Sequence, residues 1–121
     1  MKVKLNFKGR KIEFNAEKAE GIKKYTGLMF KPLDTSALLF DFKSSEQAIH
    51  SFFCPDFLAI WTKEGRIIDY KFITPNRPYI KPKEKFSQLL EIPINSEYSQ
   101  IINIFLEYKE KDLNSISSIN L

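Results

Sequence analysis

His50 and Cys54 are the chain's single histidine and single cysteine, four residues apart. A thiolate paired with an imidazole is the usual arrangement for covalent catalysis. On an extended strand, however, that spacing separates the two Cα atoms by roughly 13 Å. The side chains then share a face without touching, unless the chain bends at Pro55. No third group stands where it would orient them, so no catalytic residue is assigned. A metal centre needs three or four ligands. Asp34, Asp41 and Asp56 are spread between predicted turns and strands without a binding-loop pattern, so neither a metal nor another cofactor is expected. Glu64, Asp69 and Asp41 read as solvent-facing positions of amphipathic strands rather than as an acid–base pair. Gly9, Gly21, Gly27 and Gly65 are isolated, which excludes a glycine-rich phosphate cradle.

The most informative constellation is basic. Lys71, Arg77, Lys81, Lys83 and Lys85 crowd a stretch in which Glu84 is the sole acid, and Phe72, Tyr79 and Phe86 lie among them. Cations interleaved with aromatics suit single-stranded nucleic acid, where bases stack and phosphates pair. The candidate binding residues are therefore Lys71, Arg77, Tyr79, Lys81, Lys83 and Lys85. The competing reading is a charged segment stiffened by Pro75, Pro78 and Pro82 that shields a sheet edge.

Several elements must position these residues. Val3, Leu5 and Phe7 alternate with Lys2, Lys4 and Asn6, which predicts a half-buried strand. Lys8-Gly9-Arg10 is a turn, and Ile12 and Phe14 resume the alternation. Ala16, Ala19, Ile22 and Tyr25 recur at helical spacing, which predicts a short helix over 16–24 with Gly27 just past its end. Further strands are expected at Leu38–Phe42, at Ile49–Phe53 after a turn at Ser44-Ser45, and at Phe57–Thr62, whose two apolar faces mark a central strand. Lys63-Glu64-Gly65-Arg66 turns the chain into Ile67–Ile73. The proline segment crosses the surface, Phe86–Ile94 is the last strand, and Asn95 or Ser96 caps a helix. That helix carries Tyr98, Ile101, Ile102 and Phe105 on one face. Leu39, Phe53, Ile60, Ile68, Leu90 and Ile102 are expected to share a core with the first hairpin.

The chain of 121 residues carries a net charge of +4, with 43% hydrophobic and 28% charged residues. That is the balance of one globular domain. The excess is uneven: Met1–Lys31 is basic, Pro32–Tyr70 is acidic, and Lys71–Lys85 is basic again. No apolar run is long enough for a membrane helix. The alternating N-terminus is unlike a signal peptide, and a lone cysteine excludes an internal disulfide. A cytoplasmic location without membrane association is expected.

Five segments together resemble a known family. Gly27-Leu28-Met29 is similar to a Gly-Leu-Met motif that follows a short helix. Leu38-Leu39-Phe40-Asp41-Phe42, Ile49-His50-Ser51-Phe52-Phe53, Glu64-Gly65-Arg66-Ile67-Ile68 and Leu90-Glu91-Ile92-Pro93 follow in the family's order. From Lys2 to Ile102 the chain thus resembles the domain of unknown function 192 family. The resemblance implies a compact, barrel-like fold and no particular activity.

The expected fold class is α+β, mainly β. About seven strands form a compact, mostly antiparallel barrel-like sheet with two short helices. Residues 1–108 make one domain and 109–121 a frayed or disordered tail. Gly27 is expected to take a left-handed conformation, with Leu28 and Met29 plugging one end of the barrel. The functional expectation is a binding or interaction module for single-stranded nucleic acid or another anionic partner. The alternative is a small enzyme with a pocket near His50 and Asp41.

Overall fold

The structure is a computed structural model that describes residues 1–119, with side chains described through residue 111. The strands β1 (Lys2–Phe7), β2 (Arg10–Lys18), β3 (Ala37–Ser45), β4 (Phe57–Lys63), β5 (Arg66–Ile73) and β6 (Phe86–Pro93) close a barrel in the order β1-β2-β3-β6-β4-β5. The helices are α1 (Lys23–Thr26) and α2 (Ser99–Ile119), the latter preceded by a 3₁₀ turn at Ser96–Tyr98. The architecture is α+β and mainly β, as expected, but the sheet is mixed. β2 runs parallel to β3, and β1 parallel to β5. The remaining ladders are antiparallel.

Local chemistry explains the two tight hairpins. Lys8 and Gly9 have φ of 50° and 83°, and Glu64 and Gly65 have φ of 52° and 78°. Two successive positive φ values suit a two-residue turn whose twist matches the flanking strands. The alternation in β1 then puts Val3, Leu5 and Phe7 inside the barrel and leaves Lys2, Lys4 and Asn6 exposed. Ile12, Leu39, Leu58, Ile60, Leu90 and Ile92 join them there.

The 3₁₀ turn contributes Tyr98, and α2 contributes Ile101, Ile102 and Phe105, to the same interior cluster, which is the face that their spacing predicts. Phe105 stacks on Phe7 with ring centroids 4.7 Å apart. Asn95 starts the helical segment as expected: its Oδ1 accepts from the Glu97 N–H, while its Nδ2 donates to the Leu33 and Thr35 carbonyls. This helix is long rather than short, and the expected boundary at 108 lies inside it. Of the tail at 109–121, residues 120–121 lie outside the described residues.

Two other expected elements differ. Residues 16–18 are strand, not helix, because Ala16, Glu17 and Lys18 pair with Ala37, Leu38 and Leu39. Ala16 and Ala19 are buried by sheet packing, while Ile22 and Tyr25 point to solvent. Here tertiary pairing overrides an accidental i, i+3 spacing. Ser44 and Ser45 fall within β3 rather than in a turn. The segment 49–53 is a loop, with one bridge from Ile49 to Ile80. It has no place in the sheet, since β6 already pairs with β3 and β4. Phe53 therefore leaves the core: it has φ of 58° and is 62% exposed. Ile68 packs against a second cluster, outside the barrel.

One side chain ties the barrel to α2. The Tyr98 hydroxyl accepts a 2.7 Å hydrogen bond from the Ala37 N–H and donates to the Asn15 carbonyl at 3.2 Å. It bridges β2 and β3 where their parallel pairing begins. Tyr98→Phe should cost about 1–3 kcal/mol in urea unfolding, because the Ala37 N–H would be left buried without its acceptor.

Candidate functional site

The outer face of the central strands is as apolar as the inner one. Leu38 and Phe40 of β3, Phe57, Ala59 and Trp61 of β4, and Phe86 and Leu89 of β6 form a second buried cluster. Three loops cover it: residues 19–34, 46–56 and 74–85. Ser51 knits two of them together. Its Oγ donates to the Thr74 carbonyl (2.7 Å) and accepts from the Arg77 N–H (2.8 Å), while its own N–H donates to the Arg77 carbonyl. Phe53 N–H donates to Asn76 Oδ1. Leu28 and Met29 belong to this outer cover. They do not plug the barrel, because the interior is already filled by α2.

Between the cover and the sheet lies a cavity of about 210 Å³. Phe40, Phe42, Phe86, Leu89 and Ile49 wall it, Lys24, Tyr25, Gln47 and His50 reach it from the cover, and Cys54 and Glu91 complete it. Glu91 is in register with Leu38 on one side and Ala59 on the other, so its carboxyl rises from the middle of three strands. It is 5% exposed. None of the ion pairs among the described residues includes it. The Leu28 backbone N–H donates to it and favours the ionised form, but burial outweighs that bond and pushes its pKa up to about 7.

The Gly27 turn makes this approach possible. Gly27 has φ of 54° and ψ of −129°, so φ is positive as expected but ψ lies outside the left-handed helical region. A Cβ there would stand 2.7 Å from Glu91 Oε1.

His50 and Cys54 both line the cavity but are not engaged with one another. His50 Nδ1 accepts from the Phe52 N–H at 3.2 Å, and Cys54 Sγ donates to the Phe52 carbonyl at 3.5 Å. Burial, reinforced by the Glu91 charge, pushes the Cys54 thiol up to about 11. A thiol so protonated near neutral pH is a poor nucleophile. Asp41 is exposed and lines a separate surface depression with Lys18, Glu20 and Lys43. No group of three or more potential metal ligands occurs among the described residues.

The basic residues are divided by the fold. Lys71 and Lys83 line a groove of about 500 Å³, where Lys8 and Lys109 join them beside Phe7, Tyr70 and Phe72. Lys109 Nζ sits 5.3 Å from the centre of the Phe72 ring. Arg77, Tyr79, Lys81 and Lys85 are exposed but do not line that groove. Lys8 and Lys109 belong to the groove through the barrel's closure and the docking of α2, which no local pattern signals. Glu91 was legible only as a lone acid in the run Leu89-Leu90-Glu91-Ile92-Pro93.

No protein-family model matches the chain, and no curated protein matches it in sequence. Two crystal structures share its fold. One is a protein of unknown function from Novosphingobium aromaticivorans DSM 12444, with a TM-score of 0.64 and 15% identity over 82% of this chain and 76% of that one. The other is a "putative transcription regulator" from Sinorhizobium meliloti 1021, with a TM-score of 0.65 and 16% identity over 81% of each chain. At such identities the likeness is one of fold alone. Among the described residues, no helix is long and apolar enough to cross a membrane.

Two outcomes follow from the geometry. An unfolded glutamate ionises near 4.5, whereas folded Glu91 holds its proton to about 7. The folded state therefore binds more protons across that window. Glu91's contribution to stability is complete below pH 4.5 and falls by about 3 kcal/mol as pH rises through 7. Urea unfolding between pH 4 and 8 should show this slope in the native chain and lose it in Glu91→Gln. Gly27→Ala should destabilise by about 2 kcal/mol or more, since it combines a strained φ with a contact against Glu91; thermal unfolding measures it.

Proposed function

We propose that this chain is a small-molecule-binding module whose ligand occupies the cavity between the outer sheet face and the 19–34 and 46–56 loops. The observation that carries the reading is a buried carboxyl without an ion-pair partner among the described residues, aimed into a cavity with aromatic walls. A mostly apolar recess with a few convergent polar groups is the usual form of a ligand site. Gly27, Phe40, Phe42, His50 and Glu91, far apart in the sequence, all line this cavity.

Binding fits better than covalent catalysis. The thiol is protonated, and both His50 and Cys54 are committed to the Phe52 backbone. The alternative of an enzyme using His50 and Asp41 loses one member, since Asp41 does not line the cavity. In a ¹⁵N-labelled chain, titration with single-ring fragments should shift the amides of Gly27, Leu28, Cys54 and Glu91 and leave Gly9 unmoved. Phe42→Ala, which removes one wall, should weaken the response at least tenfold. Shifts scattered over the surface, or none, would sink the proposal.

The second reading is anion binding at the groove of Lys8, Lys71, Lys83 and Lys109. None of the four has an ion-pair partner among the described residues, and Phe72 offers a stacking surface. Affinity for a short single-stranded oligonucleotide should fall steeply with salt, because each phosphate contact releases a counterion. Lys71→Glu with Lys83→Glu should abolish binding, and Arg77→Glu should reduce it far less. Equal effects of the two changes would disprove the groove.

A further inference from the structure

We propose that the cavity takes a ligand with a single ring or short apolar body bearing an ammonium group, which pairs with Glu91. The inference rests on the reading of the cavity as a ligand site and names the ligand's class. Its first support is charge. Among the described residues Glu91 is the cavity's only acid, it is almost fully buried, and no cation pairs with it. A ligand ammonium would supply the missing partner in a site where water competes poorly.

The second support is the wall. Phe42 and Phe86 meet edge to face with centroids 5.8 Å apart, and Phe40 stands beside them on the cavity. Aromatic faces attract cations. The chain already shows this at the same site, where Lys24 Nζ lies 5.4 Å from the centre of the Phe42 ring. Among the described residues, Lys24 and Glu91 are the ammonium and carboxylate side chains on the cavity.

The third support is size. A cavity of about 150 Å³ is known to admit benzene, so about 210 Å³ admits one ring with a short arm. Benzylamine has those dimensions, and benzyl alcohol is its neutral counterpart.

Pairing is linked to a proton. Glu91 ionises only when it releases its proton to solvent, so binding converts a neutral carboxyl and an ammonium into an ion pair plus one free proton. Below about pH 7 the amine's affinity should therefore fall about tenfold per pH unit. Lys24, Tyr25, His50 and Cys54 are the other titratable or charged groups facing this space. The pH series is run on His50→Gln as well, which removes the imidazole from this space.

Calorimetry of benzylamine and benzyl alcohol against the full chain tests the proposal, at pH 7.5 and 5.5 and in two buffers of different ionisation enthalpy. At pH 7.5 benzylamine should bind at least tenfold tighter than benzyl alcohol, and Glu91→Gln should erase the preference. At pH 5.5 close to one proton should be released per amine bound, in the native chain and in His50→Gln alike. This readout stands even should Glu91→Gln fail to fold. Benzyl alcohol binding as tightly as the amine, or amine binding without proton release, would overturn the ammonium inference while cavity amide shifts keep the site itself. Neither compound moving those amides would overturn both.

Discussion

The sheet's central strands are apolar on both faces, and the rest of the molecule follows from that constraint. In β4 the inward Leu58 and Ile60 alternate with the outward Phe57, Ala59 and Trp61, and every one of these side chains is buried. Closing the barrel covers only one face. At roughly 25 cal/mol per Å² of apolar surface, leaving the other wet would cost several kcal/mol. The chain has too few helices to cover it, since α1 spans one turn and α2 is committed to the interior. Loops do it instead.

Loops carry backbone polar groups that must find partners when buried. Ser51 meets much of that demand by joining the 46–56 and 74–85 loops through its own backbone and hydroxyl. Phe30, Phe53 and Asn76, all in the cover, have positive φ. Phe30 N–H donates to the Phe53 carbonyl, and the two rings stack at 5.1 Å on the outside. The cavity lies between this cover and the sheet. Trp61 Nε1, buried there with no hydrogen-bond partner among the described residues, shows the same incomplete satisfaction.

Glu91 is the polar exception on that face. It stands in line with Leu38 and Ala59, where an apolar residue would pack without penalty. The fold accommodates it through one close approach, with Gly27 giving up a side chain so that the Leu28 N–H can reach the carboxyl. A buried acid without a partner charge carries a desolvation cost that an apolar residue would not. A carboxyl kept without a partner charge on a cavity wall is the feature on which the ligand proposal rests.

Much of the framework was legible in the sequence because it rests on local periodicity. The alternation of Val3, Leu5 and Phe7, the glycine turns at Gly9 and Gly65, and the stripe from Tyr98 to Phe105 each follow from a few neighbouring residues. The two-faced burial of Phe57–Thr62 was legible for the same reason. What failed was whatever depended on which strands meet. Ala16 and Ala19 carry a helical spacing that the pairing of β2 with β3 overrides. Phe53 is apolar yet exposed, because the two neighbours of β6 leave its segment no edge to join. The sites needed the most distant information. Glu91 reaches Gly27, Cys54 and Phe40 only once β6 lies beside β3 and the 19–34 loop folds over both, and Lys8 joins Lys71 and Lys109 only through barrel closure. By itself the sequence determined the first hairpin, the glycine turns, the two-faced central strand and the apolar stripe of the last helical segment, since these depend on bonds and burial within a few residues. Tertiary structure alone decided where a carboxyl is stripped of water and which cations share a groove, because desolvation and proximity belong to the assembled chain.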